Sequence, residues 1–184
     1  MGHLLWSGIV ADERIDAVAD RLMGEGLWSG WGVRTMSAGD LAYNPLVYHN
    51  GTVWPHDNSL IAWGLATAGR ARDAQRIAQA TFEAARYFDH RLPEVFAGFD
   101  RGRSGIPVAY PTASQPQAWA AATPVLLLRV LLGLEPDRGA GVLEARGRDL
   151  PAWAEGLTLT GVPALGKAWE ITVSDGVARS RPCR

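Results

Sequence analysis

A chain of 184 residues is long enough to bury one real core, and a formal net charge of −1 with acids and bases interspersed argues against a nucleic-acid or anionic-membrane partner. Its one cysteine, Cys183, excludes an intrachain disulfide and a zinc cluster and fits a reducing cytoplasm. No apolar run reaches the roughly 18 residues that a membrane span needs, and no basic segment precedes the short apolar N-terminal stretch, so neither a membrane span nor a signal peptide is expected.

In chain order, Met1 to Ile9 is apolar and uncapped, and reads as the tail of a preceding element. Asp12 to Met23 is an amphipathic helix. Ile15, Val18, Ala19 and Leu22 recur at helical spacing, Asp12 and Glu13 suit its first turn, and Gly24 and Gly26 end it. Trp28 to Asn50 is rich in loops, with Trp28 and Trp31 alternating with Gly30 and Gly32. Arg34 lies in this stretch and either clamps a hydroxylated ligand or pairs with a nearby acid.

The stretch Tyr48 to Asn58 sets Tyr48, His49, Asn50, His56, Asp57 and Asn58 around Trp54. A flat apolar face among many donors and acceptors suits a sugar. A phosphate is less well served, because the stretch has neither a glycine-rich phosphate loop nor a lysine. The competing reading is an ordinary loop in which Asp57 or Asn58 caps the helix that follows. That helix, Asp57 to Ala68, is apolar on nearly every face and is expected to be buried. Arg70 to Phe88 is amphipathic, with Ala74, Ile77, Ala78, Thr81 and Ala85 on one stripe.

Asp89 to Ser114 reads as one long loop, a length that is usually functional or disordered. Within it Glu94 follows a proline among apolar residues. Such a carboxylate is either solvated at a turn or held in a lined pocket. Gln115 to Leu134 is the most apolar helix and reads as buried core, with Ser114 as its cap, Pro116 in its first turn and a kink at Pro124. Asp137 to Arg148 reads as a linker. Leu157 to Thr160 and Trp169 to Val173 alternate as strands, with a turn at Ser174-Asp175-Gly176, and Trp153 and Trp169 are expected to pack this tail onto the helical part.

Five motifs stand in a recognisable order: Gly2 to Gly8, Gly30 to Thr35, Tyr48 to Asn58, Leu92-Pro93-Glu94 and Gln117-Ala118-Trp119. In order and spacing they resemble the C-terminal part of the catalytic domain of bacterial amylo-α-1,6-glucosidases, the glycogen debranching enzymes. The resemblance covers about residues 2 to 135. It implies a mainly α fold that forms part of an (α/α)6 toroid, with a small C-terminal β appendage, divided as residues 1–135 and 136–184.

It further implies hydrolysis of α-1,6-glucosidic bonds in an α-glucan or oligosaccharide, with no metal or other cofactor. Glu94 would be the general base that activates water for inverting attack. Tyr48, His49, Asn50, Trp54, His56 and Asp57 would line the glucose site, with Arg34, Gln117 and Trp119 nearby. Inversion needs a second carboxyl roughly 6.5–9.5 Å from the first. In the family this is an Asp upstream of the segment seen here, so the expectation is a truncated chain that lacks its general acid. Asp57 and Asp100 are stand-ins by type alone. Such a chain would expose apolar faces to an upstream catalytic half or to self-association. A non-catalytic carbohydrate-binding module, an inert remnant, and trehalase-like or mannosylglycerate-hydrolase-like specificity all stay open.

Overall fold

The computed structural model describes residues 1–183. Among them are six α-helices and two small antiparallel sheets. The chain divides into two compact units, the first spanning Met1–Leu127 and the second beginning at Leu128. Among the described residues no helix is long and apolar enough to cross a membrane.

The first unit begins with α1 (Gly2–Ser7), where the sequence suggested an uncapped tail; Gly8, at φ 71°, ends the helix in the left-handed conformation. The helix forms because it has α3 (Pro55–Thr67) to pack on. At Gly64 of α3 a Cβ would stand 2.5 Å from the Trp6 backbone nitrogen and 2.8 Å from the Leu5 Cβ, so the two backbones meet there. Gly64→Ala should therefore cost about 1–3 kcal/mol of stability through overpacking. A denaturant midpoint equal to wild type would show that α1 yields freely.

A 3-10 turn at Asp12–Arg14 leads into α2 (Ile15–Met23), which buries Ala19 and Leu22. Arg70 ties α2 to α4 (Ala71–Ala85): its guanidinium lies 3.0 Å from Asp16, 2.7 Å from Asp20 and 2.8 Å from Asp73. The two α2 acids are largely exposed, so this network orients more than it stabilises. α4 buries the stripe read from the sequence, Ala74, Ile77, Ala78, Thr81 and Ala85, and adds Ala80 and Ala84.

α3 starts two residues earlier than the pattern suggested. Pro55 takes its first turn and Trp54 is the N-cap residue, with no side-chain cap, so neither Asp57 nor Asn58 serves as one. Leu60 and Trp63 are only half-buried, so α3 is buried on most of its surface but not all round.

The expected long loop, residues 89–114, is structured. Val53 and Phe96 exchange both backbone hydrogen bonds, at 2.9 and 3.0 Å, and Phe96 also bridges Ala109. Their side chains join Trp31, Ala84 and Phe88 in one core cluster. A short helix, α5 (Arg101–Ser104), is capped by the Asp100 side chain, which accepts from the Gly102 amide. Single bridges leave no alternating pattern in a sequence, which is why the segment reads there as plain loop.

α6 (Ala118–Leu132) begins three residues later than expected and runs through Pro124. The reading of α6 as a buried core helix needs correction. Ala120, Thr123, Leu127, Leu131 and Leu132 are buried, but Trp119 is 62% and Val125 70% exposed. Composition gives a helix its apolar surface; neighbours decide whether that surface is covered.

In the second unit the expected linker is a hairpin of β1 (Leu134–Asp137) and β2 (Val142–Ala145). β3 (Thr158–Ala164), β4 (Lys167–Ser174) and β5 (Val177–Pro182) form an antiparallel sheet in that order. The β4–β5 turn places Asp175 at φ 53° and Gly176 at φ 67°, two successive left-handed residues as a tight hairpin requires. Trp169 lies in this unit's own core with Leu143, Leu150, Ile171, Val173 and Ala178, and its indole N–H donates to the Ala164 carbonyl at 2.9 Å. Trp153 is 40% exposed.

Candidate active site

Two loops carry the candidate residues, and buried polar side chains hold both of them. Asn58, in the first turn of α3, is 1% exposed. Its Oδ1 accepts from the Val33 amide at 2.7 Å, while its Nδ2 donates to the carbonyls of Val33 at 3.1 Å and Trp54 at 2.9 Å. This fixes the Trp31–Arg34 segment against the start of α3. Arg34 is also buried. Its Nε donates to the Gly98 carbonyl at 2.7 Å, its Nη1 donates to the carbonyls of Glu25 and Gly26 at 3.2 and 3.3 Å, and its Nη2 lies 3.7 Å from Asp100. One guanidinium thus ties three stretches of chain together.

The Tyr48–Trp54 loop folds on itself. The Thr52 hydroxyl donates to the Tyr48 carbonyl at 2.6 Å, and the Trp54 indole N–H donates to that hydroxyl oxygen at 3.1 Å. The Tyr48 ring stands edge-on to Trp54 and to His49, each at 4.7 Å, with Tyr110 at 5.7 Å. The His49 and Trp54 rings lie nearly parallel, their centroids 5.8 Å apart. Asn50 fixes the base of the loop through its backbone: its carbonyl accepts from the Asn44 amide at 2.8 Å.

Glu94 meets this loop. The Tyr48 hydroxyl donates to Glu94 Oε1. Ser114 closes the other side: its amide donates to Oε2 at 3.2 Å, and its carbonyl accepts from the Glu94 amide at 2.9 Å. The Tyr48 hydroxyl is pushed up to about 12, first by its hydrogen bond to Glu94 and then by burial and by the charges of Glu94 and Tyr110. It therefore stays protonated, and stays a donor, throughout the neutral range. Glu94 is half-buried, so its carboxylate is within reach of solvent.

The remaining candidates form two further pairs. The His56 ring lies 4.6 Å from the exposed Trp119. Asp57 Oδ1 lies 2.9 Å from His3 Nε2, both partly exposed. Gln117 is half-buried near the start of α6, and its carbonyl accepts from the Ala121 amide. A cavity of about 510 Å³ is walled by His3, Arg34, Trp54 and Asp57 among others, a size in the range of small-molecule sites. Glu94 is not among its lining residues, and Trp54 is common to the cavity wall and the Glu94 cluster. The cluster carries the chemical argument because it holds the fixed carboxylate. Two of its members escaped the sequence reading: Tyr110 gave no signal, and Ser114 read as a helix cap.

Compared with known families, residues 2–120 match the mannosylglycerate hydrolase MGH1-like glycoside hydrolase domain. The chain belongs to this family. The MGH1-like domain is in turn a member of the six-hairpin glycosidase superfamily, so the chain carries a domain of glycoside hydrolase type. The match spans α1 to the beginning of α6 and takes in every candidate residue from Arg34 to Trp119. No curated protein matches the chain significantly.

Proposed function

We propose that this MGH1-like domain hydrolyses α-glycosidic bonds by inversion, with Glu94 as the general base. The observation that carries the reading is the carboxylate of Glu94, held at both oxygens beside an aromatic wall of Tyr48, His49 and Trp54. A general base must present a lone pair to water in a fixed direction, and each oxygen keeps one after accepting from Tyr48 or Ser114. A sugar ring is met by the Trp54 and Trp119 faces and by polar groups of His49, Asn50, His56, Asp57 and Gln117. Arg34 supports the site by holding the loops beneath it. The site belongs to part of an (α/α)6 toroid in a cytoplasmic protein.

The reaction also needs a carboxylic acid that protonates the leaving oxygen. Asp57 faces His3, while Asp100 accepts from the Gly102 amide and faces Arg34. Both act as acceptors for their neighbours, which does not suit a proton donor, so the proton for the leaving oxygen comes from the upstream Asp that the resemblance to debranching enzymes implies.

The substrate we favour is an α-1,6-linked glucan branch, on the resemblance of the five motifs to debranching enzymes. The family match favours a second substrate, mannosylglycerate. One assay separates them: incubation with an α-1,6-branched maltooligosaccharide and, in parallel, with mannosylglycerate. Release of glucose from the first alone supports debranching, and release of mannose from the second alone moves the assignment to the second reading. Release from neither, together with Trp fluorescence quenched by millimolar maltooligosaccharide, would make the domain a carbohydrate-binding module and overturn hydrolysis.

A further inference from the structure

We infer that Tyr48 is a positioning residue for Glu94 rather than one more surface for the sugar; this rests on the reading of Glu94 as the general base. Three observations converge on it. The Tyr48 hydroxyl is spent on Glu94 Oε1. The Tyr48 backbone is locked from behind, because its carbonyl accepts from the Thr52 hydroxyl, which in turn accepts from the Trp54 indole N–H. The ring is wedged between the edges and faces of Trp54, His49 and Tyr110, which leaves the hydroxyl one direction in which to point.

The loop from Tyr48 to Trp54 therefore works as a holder for one phenol. Its aromatic residues pack round the tyrosine ring, and its threonine and tryptophan brace the tyrosine carbonyl. The phenol and the Ser114 amide approach Glu94 on different oxygens, and two donors on two oxygens fix the plane of the carboxylate. Fixing that plane also fixes the direction of the lone pairs left for water. Ser114 can give only its backbone amide here, which any residue other than proline would also supply. Tyr48 is thus the one side chain of the pair on which the orientation depends.

The sequence alone merges two roles. A residue that lines the sugar site acts on binding, and its loss raises KM. A residue that aims the base acts on the chemical step, so its loss lowers kcat and leaves KM near its wild-type value. Tyr48→Phe keeps the ring and its packing and removes only the hydroxyl, so it reads the second role without disturbing the wall.

The test has one arm that needs no turnover. The Tyr48 ring carbon bonded to oxygen is followed by NMR in the full chain from pH 8 to 11, in wild type and in Glu94→Gln, with Tyr48→Phe used to assign the signal. In wild type the resonance should barely move over this range. In Glu94→Gln the carboxylate is gone and the phenol should pass its midpoint near the ordinary value of about 10. Equal titration in the two proteins would overturn the pairing. The second arm is steady-state hydrolysis by Tyr48→Phe of whichever substrate the wild type cleaves. A kcat lowered about tenfold or more at unchanged KM supports positioning, and a raised KM at unchanged kcat overturns it. If the titration behaves as expected while no substrate is cleaved, Tyr48 still orients Glu94 and the hydrolase reading alone has failed.

Discussion

Glu94→Gln should lower the rate of hydrolysis about a hundredfold to ten-thousandfold, the range over which a positioned general base acts. Glutamine keeps the size of the side chain and still offers a carbonyl oxygen to the Tyr48 hydroxyl or to the Ser114 amide. What it lacks is a site that can take a proton from water. The loss should therefore fall on kcat, with sugar binding, read by Trp fluorescence, close to wild type. The fold should also be retained, because Glu94 is half-buried and the bond between the Glu94 amide and the Ser114 carbonyl is backbone to backbone. A near-normal rate in Glu94→Gln would remove Glu94 from the mechanism.

Asn58→Ala should cost about 3 kcal/mol of stability. The side chain makes three hydrogen bonds in a site that is 1% exposed, and its loss leaves the buried Val33 N–H without an acceptor and the Val33 carbonyl without its amide donor. Each buried polar group left unpaired costs about 1–3 kcal/mol. Asn58→Asp should not rescue the loss, since a carboxylate can accept from the Val33 amide but cannot donate to two carbonyls. Urea unfolding measures both variants: the midpoint should fall with the slope unchanged. A loss within about 0.5 kcal/mol would mean that the Trp31–Arg34 segment is held by other contacts. The effect matters for the site because Asn58 Nδ2 also donates to the carbonyl of Trp54, the residue shared by the aromatic wall and the cavity.

The elements that were legible in the sequence are those whose side chains repeat. α4 shows its buried stripe of alanines, Ile77 and Thr81 at helical spacing, and β4 alternates through Trp169, Ile171 and Val173. The elements that were missed owe their form to partners distant in the chain. α1 forms because Gly64 lets it lie against α3, and the β1–β2 hairpin carries only one buried residue on each strand, Leu134 and Leu143. α6 shows the opposite failure: its composition spoke of burial, and Trp119 and Val125 are exposed.

At the site, the sequence shows residue types but not pairings. Tyr48 and Glu94 stand 46 positions apart, and nothing local says that one holds the other. Asn58 looked like a helix cap because Asn before an apolar run usually is one, yet its amide is turned to Val33, 25 positions away. For Arg34 the sequence left two options, a ligand clamp or an ion pair. The structure gives its guanidinium three backbone carbonyls and places Asp100 beside it. Backbone carbonyls carry no signature in a sequence, so no reading of residue types would have found them.

The most direct measurement is the anomeric form of the first sugar released by the 184-residue chain, followed by proton NMR within the first minutes of hydrolysis of an α-linked substrate. Water delivered by Glu94 on the face opposite the leaving group must give the β-anomer first, with the α-anomer growing in later by mutarotation. Release of the α-anomer first would contradict Glu94 as the base of an inverting glycosidase.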